Sequence, residues 1–311
     1  MRGRRRKFYQ EGYQHIFQHA IGYHIIFYSL EDRLVFYTIF SIMAWRYGVS
    51  VLALALMYNH FHTLINTASS KVMSLFIGTV TSTYALAFNR DSGRKGPLFE
   101  KAYGNSIKSS GKIIRTSISY SYNNSVEKQL FTRAEEDRWN FLAYIGNDHP
   151  FSEPVSLEKA SKKLRSSLKV VKAYCADHYY LNYVTLRRLY RGLSPKERDQ
   201  LTDYIISRYL PIDQDKLLSY YKSYDQMVMA INSNTGNEYV IREEYNSDPD
   251  TIYRKMLQLV ASSTFAENPH TIVSAPIEKK YQIAKVLKLR TGAKDYQIRR
   301  FLHLDAWPTN G

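Results

Sequence analysis

The residues in this chain best suited to chemistry are two histidines flanking a phenylalanine, His60-Phe61-His62, near the end of the apolar run VSVLALALMYNHFHTLI, residues 49–65. Side chains alternate along a strand, so both imidazoles point to one face and Phe61 to the other. Two imidazoles so placed on a rigid strand can hold one divalent metal ion, with Phe61 packed behind them. The same pair can equally serve as ordinary core. A zinc hydrolase would need an Asp and a further His close by, where this chain has Thr63-Leu64-Ile65-Asn66. The single cysteine, Cys175, argues against a closed structural zinc site. Tyr120 and Asn124 also stand out, because their spacing puts them on one face of a helix. A phenol and an amide oxygen there can serve as nucleophile and metal ligand, or the tyrosine can be core.

The elements that would position these groups follow from the pattern. Residues 13–28 read as a strand interrupted by Gly22. Ser29 caps a helix with Glu31 and Asp32 in its first turn, and Gly48 ends it. Residues 49–65 read as one buried central strand, apolar on both faces. A second helix over 69–89 is rich in Ser and Thr, and the basic turn DSGRKG follows. GPLFEKAYGNSI reads as a further strand or an extended segment, and KIIRTSISYSYNN, after Ser109-Ser110-Gly111, as a third helix. This alternation predicts an α+β domain over residues 13–148, a ferredoxin-like antiparallel sheet with helices on one face. Residues 131–154 wrap up and link. An all-α domain then occupies 155–311, where Ser194-Pro195 and Glu197 mark a helix start and NSNTGNEY a polar loop. Its tail, 276–304, reads as two short helices joined by Thr291-Gly292-Ala293, which is helix-turn-helix spacing. Ile283, Val286, Leu287, Ile298, Phe301 and Leu302 would form its core, with Gln297, Arg299 and Arg300 toward DNA; an ordinary helical hairpin fits the same pattern.

Composition adds a partner. The chain has 311 residues, 44% of them hydrophobic, which is enough for substantial cores. A formal charge of +15 points to a polyanion, most readily nucleic acid. Twenty-seven tyrosines among the Lys and Arg suit stacking on unpaired bases. The arm of residues 1–12 carries Arg4, Arg5, Arg6 and Lys7 for phosphate contact, and Arg94, Lys95 and Arg115 are further candidates. The lone cysteine excludes an internal disulfide framework and fits a reducing cytoplasm. No secretory signal is read at the start. The apolar run near residue 50 is too short to span a bilayer, so no membrane partner is expected.

The motifs, in order, resemble a known family. MYNHFHTLI looks like the His-hydrophobic-His strand of the HUH superfamily, and more narrowly that of the single-tyrosine transposases of insertion sequences and their REP-associated relatives. GPLFEKAYGNSI is similar to their LF segment. IIRTSISYSYNNSVEKQL is similar to their tyrosine helix, with Tyr120 and Asn124 on the matching positions, and EEDRWNFLAY matches at Trp139. The resemblance covers roughly residues 13 to 145. The family proline is Ser125 here and the arginine of the LF segment is Ala102, which removes one expected phosphate contact. The resemblance implies that His60, His62 and Asn124 hold Mg2+ or Mn2+ and that Tyr120 attacks a phosphate of single-stranded or hairpin DNA. The product would be a 5′-phosphotyrosine link, formed by a monomer or homodimer in a bacterial cytoplasm. Tyr122 is the competing nucleophile, but it points about 200° around the helix from Tyr120. Two other readings remain: a domesticated nucleic-acid-binding protein that no longer cuts, and another HUH endonuclease. Relaxases usually present three histidines, and the candidates for a third, His15, His19 and His24, lie on the first strand.

Overall fold

The structure is a computed structural model that describes residues 8–233, 250–263, 265 and 268–307. Arg4 to Lys7 and the loop NSNTGNEY lie outside the described residues, apart from the loop's first two. The first half contains strand β1 (Tyr13–His19), helix α1 (Leu30–Arg46), strands β2 (Ser50–Leu56) and β3 (His60–Asn66), helix α2 (Ser70–Ser92), strand β4 (Gly104–Lys108) and helix α3 (Gly111–Glu127). The strands form one antiparallel sheet in the order β2-β3-β1-β4. The domain is therefore α+β.

Two strands differ from expectation. Residues 49–65 are a hairpin, in which β2 and β3 pair antiparallel across Met57, Tyr58 and Asn59. One continuous strand would be about 55 Å long, far beyond what this sheet covers; folding it back lets each half hydrogen-bond to the other. β1 ends at His19, and the chain then makes a short 3-10 turn over Ile21–Tyr23 in which Gly22 and Tyr23 both have positive φ, 58° and 56°.

The helix caps follow the sequence. The Ser29 hydroxyl accepts from the Asp32 amide, and the Asp32 carboxylate accepts from the Ser29 amide, a closed capping box. Ser110 caps α3 and Ser69 caps α2. Helices α1 and α2 cover the Phe61 face of the sheet: Phe61 lies 4.9 Å from Phe36 of α1, which meets Tyr84 of α2 at 5.2 Å. The expectation of helices on one face holds for these two. Helix α3 lies on the opposite face, where Tyr120 meets His62. By length and composition α2 is apolar enough to cross a membrane, a test that core helices also pass.

The second half is helical: α4 (Lys162–Ala176), α5 (Tyr183–Tyr190), α6 (Pro195–Arg208), α7 (Gln214–Leu218), α8 (Tyr224–Asn232), α9 (Thr251–Ala261), α10 (Ile277–Thr291) and α11 (Asp295–Leu302). It shares one hydrophobic core with the first half. Tyr37 of α1 donates to the Ile206 carbonyl, Thr38 accepts from the Leu181 amide, and the Asp213 amide reaches Val51 of β2. The stretch 131–154 is equally integrated: Asn140 donates to the Tyr122 carbonyl and Trp139 lies over the Arg33 guanidinium.

Gly104 makes the tightest approach in the sheet. It sits opposite Phe17, and a Cβ there would lie only 2.1 Å from Phe17 Cζ. Gly104→Ala should therefore cost about 1–3 kcal/mol by overpacking, read as a lowered urea midpoint. It should also disturb the two histidines that flank Phe17, His15 and His19.

Candidate active site

The β1–β3 register sets this site. His19 stands opposite His60, and Phe17 opposite His62. Alternation puts His15, Phe17 and His19 of β1 on the same face as His60 and His62 of β3. Four imidazoles thus share one patch. His60 and His62 ring centroids are 4.8 Å apart, His19 and His60 4.6 Å, and His15 and His62 are stacked at 5.3 Å. Tyr120 reaches over from α3 and presents its ring edge-on to His15 at 5.5 Å and to His62 at 5.6 Å. Asn124 lies one turn further along the same face of α3 and is buried. Tyr122 is turned away: its hydroxyl donates to the Leu52 carbonyl at 2.9 Å, within the packing of α3 on β2.

Burial fixes the protonation of these groups. It is the main cause that pushes His62 down to about 3, with Lys128 adding to it. His60 is held well below the usual imidazole range by burial, then by His19, His62 and Lys128. His15 is held low by burial, then by His62 and Lys108. All three imidazoles are therefore neutral at neutral pH and keep a lone pair for a ligand. His60 Nδ1 is 2.6 Å from the Asn59 side-chain oxygen, which fixes Nδ1 as the protonated nitrogen and leaves Nε2 as the lone-pair nitrogen. His62 Nδ1 is 3.3 Å from His15 Nε2, and His15 Nδ1 is buried with no hydrogen-bond partner among the described residues.

His60 and His62 could together present nitrogen ligands to a divalent ion from one face of β3. Among the described residues no group of three or more His, Cys, Asp or Glu is arranged to hold a metal.

The other expected contact residues are scattered. Lys95 is exposed. Arg115 is exposed on α3 and lines a shallow cavity with Lys112, Thr116 and Tyr221. Arg94 donates to Asn89 and to the Gly96 and Pro97 carbonyls. The tail is two helices meeting at Gly292, with Ile283, Leu287, Ile298, Phe301 and Leu302 buried. Gln297 is buried and accepts from the Lys294 amide, so it does not stand on an outward reading face. Arg299 donates to the Leu304 and Asp305 carbonyls, and Arg300 lies over Tyr23 and Tyr296.

No family model and no curated protein matches the chain. Among solved structures it is similar to one described as the REP-associated tyrosine transposase bound to a REP hairpin. That likeness has 12% sequence identity and a TM-score of 0.39, and covers 45% of this chain and 82% of that one.

Proposed function

We propose that this protein is a metal-assisted DNA strand transferase of the single-tyrosine HUH kind, which cuts and rejoins single-stranded or hairpin DNA. The observation that carries the reading is the contact between Tyr120 of α3 and His62 of β3, which joins a possible nucleophile to the histidine pair across the sheet. The motif order in the first half and the net charge of +15 support it. The sheet order β2-β3-β1-β4, within the element order strand-helix-strand-strand-helix-strand, supports the ferredoxin-like reading of the domain.

In this reading His60, His62 and Asn124 would hold Mg2+ or Mn2+. Such an ion, when bound, polarises the scissile phosphate and offsets charge in the transition state. The Tyr120 oxygen bonds to phosphorus as the bond from phosphorus to the 3′ oxygen breaks. The phenol loses a proton, the released 3′ oxygen gains one, and the 5′ phosphate stays on the tyrosine. The link keeps the energy of the phosphodiester, so a 3′-OH can attack it and rejoin strands. Phe61, locked against Phe36 on the far face, keeps the histidine strand rigid.

The test is covalent capture. The full chain is mixed with Mn2+ and end-labelled hairpin oligonucleotides drawn from the DNA flanking its coding region. A denaturing gel should show labelled protein, and chelation by EDTA should remove it. His60→Ala should reduce the adduct by roughly 100-fold; full activity in that variant refutes the metal assignment. A second reading, binding without cleavage, is favoured by the burial of the patch: Tyr120 and His60 are each 7% exposed and His62 is fully buried. In that case the hairpin binds and no adduct forms under any metal.

A further inference from the structure

A row of rings leads away from the histidine patch. His60 lies 4.6 Å from His19, His19 lies 5.0 Å from Tyr23, and the Arg300 guanidinium lies 4.9 Å from both the Tyr23 and the Tyr296 ring. The row ends in a cleft of about 500 Å3 between the Ile21–His24 segment, the Arg94–Pro97 turn and α11.

Three features make this a built site. Its cations are fixed in place: Arg94 is held by Asn89 and the Gly96 and Pro97 carbonyls, and Arg299 by the Leu304 and Asp305 carbonyls. Neutral carbonyls orient a guanidinium without cancelling its charge. Its wall is predominantly cationic, with Arg94, Arg299 and Arg300 against the single Asp305, and His24 in that wall is pushed down to about 4 by burial first, then by Arg94. The backbone beside the cleft is unusual as well. Tyr23 occupies the left-handed region, φ 56°, where a bulky residue is a rare choice, and that bend sets its ring between His19 and Arg300.

We propose that this cleft binds one unpaired nucleotide of the DNA strand, its phosphate at Arg94 and Arg299 and its base against the Tyr296–Arg300 wall. The row of contacts from His60 through His19 and Tyr23 to Arg300 puts this nucleotide on the same strand near the cut, a placement that rests on the strand-transfer reading of the histidine patch. Aromatic and guanidinium planes take any base by stacking. A paired base cannot enter without being flipped from its duplex. Helix α11 is then one wall of a nucleotide cleft.

The test is fluorescence anisotropy on the full chain in EDTA, which keeps the probe intact. The probes are labelled oligo(dT) of 12 nucleotides and its duplex with oligo(dA), with dTMP as competitor. Tyr296→Leu and Arg299→Gln should each weaken the single strand by about 10-fold and leave the duplex within about twofold, with melting curves confirming the fold. dTMP should compete in the wild type and lose potency in both variants, which separates a nucleotide cleft from a general surface for long strands. Wild-type affinity for oligo(dT) in both variants overturns the proposal, as does equal loss on both probes or no binding by the wild-type chain. If the variants lose the single strand while no covalent adduct ever forms, the cleft stands and the cleavage reading falls. If the adduct forms and the variants bind normally, the cleft alone falls.

Discussion

Tyr120→Phe is expected to abolish covalent capture of single-stranded DNA, by a factor on the order of 10³ or more, in a chain that still folds. The substitution removes one oxygen and keeps the ring that packs edge-on against His15 and His62. The loss is then one of a bond-forming atom. Tyr122→Phe is the matched control with the opposite outcome. Its hydroxyl is buried and donates to the Leu52 carbonyl, so its removal should cost about 1 kcal/mol of stability while the adduct still forms. The two variants are compared on one gel with Mn2+ and end-labelled hairpin DNA, and in one urea titration. An adduct that survives in Tyr120→Phe and disappears in Tyr122→Phe would reverse the assignment.

The second large effect concerns stability. His270 is buried between two carboxylates: Nδ1 is 2.7 Å from Asp32 and Nε2 is 2.8 Å from Asp91. Asp32 also accepts from the Tyr183 hydroxyl and from the Tyr28 and Ser29 amides, and Asp91 pairs with Arg187. Burial pushes the imidazole down, and the two carboxylates more than reverse it, raising His270 to about 9. A pKa above the unfolded value of about 6.5 means that the protonated imidazole binds its partners only in the folded state. That contribution, about 3 kcal/mol, is fully present below pH 6.5 and is lost as pH rises through 9. Unfolding free energy from urea titrations should fall by about that amount between pH 6 and pH 9.5. His270→Gln should flatten the slope. His270→Ala should cost about 3–5 kcal/mol at pH 6 by leaving the buried Asp32 carboxylate without its cationic partner. A wild-type slope retained in His270→Gln would assign the pH dependence to another group.

Local chemistry was readable in the chain, and pairing across it was not. The Ser29–Asp32 and Ser194–Glu197 caps, and the turn at Gly292, are short-range signals that survive folding. The hairpin was hidden because its turn, Met57-Tyr58-Asn59, carries neither Gly nor Pro inside a long apolar run. The side of the sheet that α3 covers was hidden for another reason. Tyr120 and Tyr122, on opposite sides of that helix, are both buried, so its C-terminal half shows no outward stripe to read. The histidine pair was visible from alternation alone. His15 and His19 share a spacing that puts them on one face of β1, but that this face adjoins His60 and His62 depends on the β1–β3 register, which no local pattern records. The arginines of α11 carried a basic signal that is equally compatible with reading DNA and with lining a cleft; Tyr23, far upstream, decides how Arg300 is used.

The tail closes on the beginning of the chain. The Ile25 amide donates to the Arg300 carbonyl, the Tyr28 hydroxyl to the Phe301 carbonyl, and His303 Nε2 to the Ile25 carbonyl, across 278 positions of sequence in the last case. During synthesis the sheet, with its histidines and tyrosine, leaves the ribosome long before these partners do. Until residues 295–303 emerge, Ile25 and Tyr28 lack their partners and the Arg300 end of the ring row is missing. A nascent or shortened chain would carry the histidine patch and Tyr120 without the α11 wall beside them.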